Sequence, residues 1–249
     1  MGNSWFQFRE FRIEQGRSAM KVCTDSCIFG ALAADRESRL QVPPSRILDL
    51  GCGTGLLSLM MAQAFPAARI SGIELHPGSA ADCRENFASS LWRDRLHIEE
   101  LDFHLMPSDG EKFDCIICNP PFFLNHLLSP QVSRNAAMHI DSEGLVSWLQ
   151  FMENCLAENG RIWMLLDRNA AEKIRGIAAA MFIKEEEWIN FLTADAEIRR
   201  SVLCLSHKGN PGFSVENQLV FEKNGKISPW AESLLEAYYL PKGGSHVSF

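Results

Sequence analysis

Two short runs in this sequence hold residues that could do chemistry together. The first is Asp49-Leu50-Gly51-Cys52-Gly53-Thr54-Gly55, which follows one apolar stretch and opens another. Glycines in such a turn let the backbone bend sharply and approach a ligand closely, where a side chain would collide. A dinucleotide turn has the spacing G-x-G-x-x-G. Here the third glycine comes one residue early, and Leu56 stands in the expected place. The spacing G-x-G-x-G suits a ligand without a pyrophosphate, such as S-adenosylmethionine, with its methionine moiety and ribose. Asp49 would face that ligand's cationic end, directly or through water. Glu74 ends the next apolar stretch, and a carboxylate can accept from both hydroxyls of a ribose. Asp102 follows a third stretch and could accept from the exocyclic amine of the cofactor adenine, with Phe103 beside the ring. Glu99 and Glu100 compete with it for that role. The plainer alternatives are a tight turn with no ligand and an exposed acid at a strand end.

The second run is Asn119-Pro120-Pro121-Phe122. Two prolines fix φ and remove two N–H donors, so the chain is stiff and its carbonyls are free to face a ligand. The Asn119 side-chain oxygen and the Pro120 carbonyl could accept both hydrogens of a planar amine. Pinning those hydrogens favours the geometry in which the nitrogen lone pair leaves the base and attacks a methyl carbon. Phe122 offers a flat face on which an extruded base can stack. The alternative is a rigid turn with no partner.

Alternating elements must hold these runs. Apolar strands are predicted at 46–50, 69–75, 96–101, 113–118 and 161–166, with helices at 56–65, 77–90, 141–158 and 170–181 between them. Proline at the first turn opens the second of these helices, and Gly160 is expected to end the third. This βαβ rhythm argues for a parallel sheet covered on both faces. The segments 187–192, 201–207 and 218–221 lack intervening helices and are expected to pair antiparallel at the edge, before a closing helix at 229–239. In the lead-in, Phe6, Phe8, Phe11 and Ile13 suggest an extended segment, and Thr24-Asp25 a capped helix to about residue 34. The expected organisation is one domain over 1–249, with a lead-in or cap at 1–44 and a core at 45–249. The stretch 123–140 has no clear period and exceeds an ordinary connection, which suggests a functional loop.

At 249 residues and 46% hydrophobic, the chain can bury one sizeable core. It has no uncharged apolar run long enough to span a membrane and no signal-peptide pattern at its start. Cys115 and Cys118 form C-x-x-C inside an apolar strand, with no second pair to complete a zinc site, so reduced buried thiols are expected. That cysteine usage points to the cytoplasm. The net charge of −7 does not suggest a nucleic-acid binder, although binding depends on a local patch. Arg9, Arg12, Arg17 and Lys21 cluster early, and Arg199, Arg200, Lys208, Lys223 and Lys226 cluster late.

These residues resemble known proteins. The 49–55 turn with Glu74 resembles the class I S-adenosylmethionine-dependent methyltransferases, and Asn119-Pro120-Pro121-Phe122 resembles the (N/D/S)-P-P-(Y/F/W) motif of those acting on adenine N6, guanine N2 or a glutamine amide. Phe8, Phe11, Met20-Lys21-Val22 with Thr24-Asp25, Leu56-Leu57-Ser58-Leu59-Met60 and the closing Tyr238-Tyr239-Leu240 are similar to the bacterial tRNA1(Val) adenine-37 N6-methyltransferase family. Cys23, where that family usually has Gly, and Phe122, where many members have Tyr, depart from it. The resemblance implies a Rossmann-like, mostly parallel seven-stranded sheet with an antiparallel edge hairpin and an N-terminal cap. It implies that Lys21 and Thr24 help wall the cofactor pocket, that Gly51, Gly53, Gly55, Glu74, Asp102 and Asn119 line it, and that a monomer acts on tRNA without a metal. Guanine N2 of rRNA, a release-factor glutamine, or a non-catalytic RNA-binding module on the same fold are the alternatives.

Overall fold

A computed structural model describes residues 3–18, 20–106, 110–120, 142–212, 214–221 and 225–241. Pro121, Phe122 and the 123–140 stretch lie outside the described residues, as does Lys223.

The lead-in forms a two-stranded antiparallel hairpin of β1 (Trp5–Gln7) and β2 (Arg12–Glu14). Helix α1 (Thr24–Ser38) follows. Its N-cap is Cys23 with no side-chain cap, so Thr24 starts the helix without the capping bond expected of it. The core then runs β3 (Arg46–Leu50), α2 (Leu56–Ala64), β4 (Arg69–Glu74), α3 (Pro77–Ser89), β5 (Leu96–Glu100), β6 (Phe113–Cys118), α4 (Ser142–Cys155), β7 (Leu156–Leu166), α5 (Arg168–Ala180), β8 (Lys184–Leu192), β9 (Ile198–Ser206), β10 (Val215–Leu219) and α6 (Pro229–Leu235).

Eight strands make one sheet in the order β10-β8-β9-β7-β6-β3-β4-β5. Strands β5, β4, β3, β6 and β7 are parallel. The antiparallel strand is β9, wedged between β7 and β8. The expected antiparallel hairpin is β8 with β9; the sheet departs from the seven strands expected because β10 adds an eighth, parallel to β8. Two element ends also differ. Helix α4 stops at Cys155 and β7 begins at once, so Gly160 sits inside a strand, beside the irregularity in β6–β7 pairing between Phe113 and Cys115. The closing helix ends at Leu235, followed by turns.

Side chains alternate across a strand, so one strand feeds two cores. Ile47, Ile70, Ile117 and Leu165 face a layer built from α1, α2, α3, α6 and the lead-in aromatics Phe8 and Phe11. Leu48, Leu50, Ile116 and Met164 face α4 and α5. The chain leaves β3 for β4 and β5 on one side, then returns to β6 on the other. That reversal makes the crevice beyond the carboxyl ends of β3 and β6 the topological switch point, where ligands bind in open α/β sheets.

Candidate active site

Leu50 and Cys118 are cross-strand partners at the ends of β3 and β6. The residues that follow them, Gly51 and Asn119, are therefore neighbours at the switch point, and the two chemical runs of the sequence meet there.

After β3 the backbone turns with positive φ at Gly51 (73°), Gly53 (57°) and Gly55 (82°), a region that L side chains rarely occupy. A Cβ at Gly55 would lie 2.6 Å from the Phe87 ring and 2.8 Å from Cys83 Sγ, so only glycine fits. Nothing lies within 4 Å of a Cβ built on Gly53, and the turn is open at that point. Asp49, fully buried, accepts at one oxygen from Ser58 N (2.9 Å) and Ser58 Oγ (2.6 Å), which fastens the first turn of α2. Its other oxygen is buried and has no partner among the described residues. Burial pushes the Asp49 carboxyl up to about 7, against the Ser58 hydrogen bonds, which favour its charged form.

Glu74 ends β4 and accepts from Gly53 N (2.8 Å) and His76 N (2.7 Å), tying the glycine turn to the neighbouring strand. Asp102 follows β5 and accepts from His104 N (3.0 Å) and His104 Nδ1 (2.7 Å). Those two bonds hold its carboxyl below the usual range. His104 Nε2 lies 3.1 Å from Ser147 Oγ on α4, so Asp102 is linked across the crevice mouth. Phe103 is buried; its ring stacks on His104 (4.0 Å) and meets Trp148 edge-on (5.1 Å). Leu75 and Leu105, beside Glu74 and Phe103, stay exposed.

Asn119 donates from Nδ2 to Ser26 Oγ at 2.8 Å, while its Oδ1 is buried with no partner among the described residues. Pro120 is buried beside it. The contact brings the first turn of α1 to the end of β6. Thr24 starts that turn, and exposed Lys21 donates from Nζ to the Gln15 carbonyl. The lead-in reaches this position because the buried carboxylate of Asp82 on α3 accepts from Arg17 N (2.9 Å), Ser18 N (2.9 Å) and Arg17 Nε (2.6 Å). Asn86 completes the anchor, accepting from Glu14 N and donating to the Thr54 carbonyl of the glycine turn.

Two residues at the site escaped the sequence reading, and a third, Asp25, was read only beside Thr24 at the helix start, without its partner. Ser26 sits in an apolar helix, and its link to Asn119 spans 93 positions. Trp148 lies 3.2 Å from a Cβ built on Gly51, yet in sequence it is only one apolar position of α4. Asp25 is buried and paired with Arg199 Nε at 2.8 Å. That pairing also alters the view of the basic clusters, since Arg17 binds Asp82 and Glu85, and Arg12 binds Glu14. Cys115 and Cys118 are buried free thiols, and among the described residues no group of His, Cys, Asp and Glu is arranged to hold a metal. No described helix is long and apolar enough to cross a membrane.

Residues 19–173 match the family model described as methyltransferase small domain. The chain belongs to the methyltransferase small domain family. The methyltransferase is 31% identical to the tRNA1(Val) (adenine(37)-N6)-methyltransferase of Bacteroides thetaiotaomicron, over 96% of this chain and 99% of that one. The protein of the same name from Haemophilus influenzae is 31% identical over 95% and 99%. That from Cytophaga hutchinsonii is 38% identical over 67% and 68%. At 31% identity over nearly the whole chain, the methyltransferase is a member of their family too. Among solved structures, a predicted O-methyltransferase of Agrobacterium tumefaciens superposes with a TM-score of 0.64 at 16% identity, over 86% of this methyltransferase and 96% of that chain. A ribosomal protein L11 methylase of Lactobacillus delbrueckii gives 0.52 at 17%, over 72% and 76%. These last two establish the fold.

Proposed function

We propose that this methyltransferase transfers a methyl group from S-adenosylmethionine to the N6 amine of an adenine in tRNA, at position 37 of tRNA1(Val). The observation that carries the reading is the meeting at one switch point of the glycine turn after β3 and Asn119-Pro120 after β6. The family members named for that reaction supply the substrate.

The residues fit the methyl donor. A buried carboxylate oxygen of Asp49 without a partner among the described residues suits a cation, and the open face at Gly53 suits a ligand lying against backbone. When bound, S-adenosylmethionine supplies an electrophilic methyl carbon on a sulfonium, chemistry that needs no metal. Asp49 answers the ligand's positive charge. Gly51, Gly53 and Gly55 keep side chains out of its way. Glu74 accepts from the ribose hydroxyls with the lone pairs that Gly53 and His76 leave free, and Asp102 with Phe103 takes the adenine end. Lys21 and Thr24 wall the pocket from the lead-in. Asn119 Oδ1 and the Pro120 carbonyl accept the two hydrogens of the target amine, Pro121 keeps the turn stiff, and Phe122 stacks on the base. The lead-in 1–44 and core 45–249 act as one unit, a cytoplasmic monomer.

The experiment is single-turnover methylation of tRNA beside cofactor binding. Asn119→Ala removes the acceptor and should slow turnover by about 10²–10³, the cost of losing one preorganised polar contact. Asn119→Asp keeps an acceptor, opposes the developing positive charge and should retain more. Cofactor affinity should change little in either. An Ala variant as fast as wild type would reduce the tetrapeptide to a rigid turn.

A further inference from the structure

We propose that Ser26 is a positioning residue that fixes which way round the Asn119 amide stands. The inference rests on the reading of Asn119 as acceptor for the target amine. An amide side chain can be rotated by half a turn with almost no change of shape, but its two ends are chemically opposite. Only one orientation offers an acceptor to an amine; the other offers N–H groups and repels it. Something in the fold must choose between them.

The choice is built at the first turn of α1. Ser26 is buried there, with Oγ 2.8 Å from Asn119 Nδ2 and 3.1 Å from Cys23 Sγ. A hydroxyl has one hydrogen to give and two lone pairs to receive with. Either atom of the Ser26–Cys23 pair can be the donor; where Ser26 gives its hydrogen to the Cys23 sulfur, it faces Asn119 with lone pairs alone. The Asn119 N–H is then satisfied on the α1 side, and Oδ1 is left as the buried oxygen with no partner among the described residues. Reversing the amide would set Oδ1 against the Ser26 oxygen and draw the Ser26 hydrogen away from the Cys23 sulfur. The α1 helix thus contributes no atom to the reaction, yet it holds the polarity of the atom that does.

The test measures single-turnover rate, tRNA half-saturation and cofactor affinity for Ser26→Ala, Ser26→Thr, Asn119→Ala and Ser26→Ala/Asn119→Ala. Ser26→Cys, with a sulfur that is a weak acceptor, stands in for Ser26→Ala if the latter does not fold. Ser26→Ala should slow the rate about tenfold, the worth of one hydrogen bond, with half-saturation and cofactor affinity within about twofold. Ser26→Thr should restore most of the rate. In the Asn119→Ala background Ser26→Ala should do nothing more, because the group it orients is gone. A Ser26→Ala rate equal to wild type while Asn119→Ala is slow would overturn the positioning role and leave the amine reading standing. So would additive losses in the double variant, or a Ser26→Ala effect confined to cofactor affinity. An Asn119→Ala rate equal to wild type would instead remove the reading on which the inference depends.

Discussion

Asp49 serves the fold with one carboxylate oxygen, through Ser58, and leaves the other over. Its folded value of about 7 stands above the ordinary carboxylate value of about 4. The folded chain therefore holds this proton more tightly than the unfolded one. The stability contributed by Asp49 is fully present below its unfolded value and is lost as pH rises through about 7. A bound cation reverses that preference by favouring the charged form. Cofactor affinity should accordingly rise as pH climbs through this range. Calorimetry in buffers of different ionisation heat should show proton release on binding, and Asp49→Asn should abolish the release. An affinity independent of pH with no proton released would mean that Asp49 does not face the ligand's charge. At this scale the sequence was readable where chemistry is local. Three closely spaced glycines after a strand, an acid at the next strand end and an Asn-Pro-Pro run each carry their own reason. Ser26, Trp148 and the Arg199 partner of Asp25 were not readable, because nothing in an apolar helix marks the one position that meets a partner from another part of the chain.

The elements follow the same division. The strand and helix alternation from β3 to α5 was legible because buried parallel strands and amphipathic helices differ in period. The direction of β10 was not, since a short strand's pattern says which face is apolar and nothing about which neighbour it will bond. The end of α4 was also obscured. Ala157, Glu158 and Asn159 read as a polar last turn before Gly160, whereas pairing of Leu156 with Phe113 draws that segment into the sheet. The lead-in showed its aromatics but not its anchor. Asp82 binds two backbone N–H groups and one guanidinium from residues 17 and 18, and it is buried on α3. Asp82→Ala should cost about 1.5–3 kcal/mol, the range for hydrogen bonds to a charged group. The loss should be visible as a lower denaturant midpoint, with faster proteolysis between β2 and α1. Cofactor and tRNA binding should weaken with it, because α1 would no longer be held against Asn119. A variant with wild-type midpoint and protease resistance would show that Asn86 and the aromatics hold the lead-in without Asp82.

For the whole molecule, the acidic balance of −7 and a polyanionic substrate have to be reconciled. Arg12, Arg17 and Arg199 each already face a carboxylate. Of these, only Arg12–Glu14 is substantially exposed on both sides, and such a pair is weak enough for a phosphate to take over Arg12 at little cost. Arg17 and Arg199 reach buried carboxylates, which hold them in place and leave only their outer N–H groups for a phosphate. The RNA-binding face would then gain positive charge on contact at Arg12, with Arg17 and Arg199 adding phosphate contacts while they keep their buried acids. Under that account tRNA affinity should still fall as salt rises, with a log–log slope close to the number of phosphates engaged. Filter binding or fluorescence titration over a range of salt would measure it. A flat response would mean that base and shape contacts carry the binding.

The eight cysteines give the molecule an internal clock. All are free thiols; Cys23 is half-buried and the other seven are buried. Burial pushes Cys27, Cys115, Cys118, Cys155 and Cys204 up, away from the thiolate form that alkylating reagents attack. In the native protein Cys23 should label first, and every other thiol must wait until its own segment opens. Cys52 and Cys83 lie 3.7 Å apart, joining the glycine turn to α3, so their labelling times the opening of the pocket floor. S-adenosylmethionine should slow those two by a factor that grows with its concentration over Kd, and should slow Cys155 and Cys204 as well where they are reached only by global unfolding, which also loses the site. Mass spectrometry of timed alkylation would give that order directly, and equal protection of all eight would mean that the pocket opens only when the whole chain does.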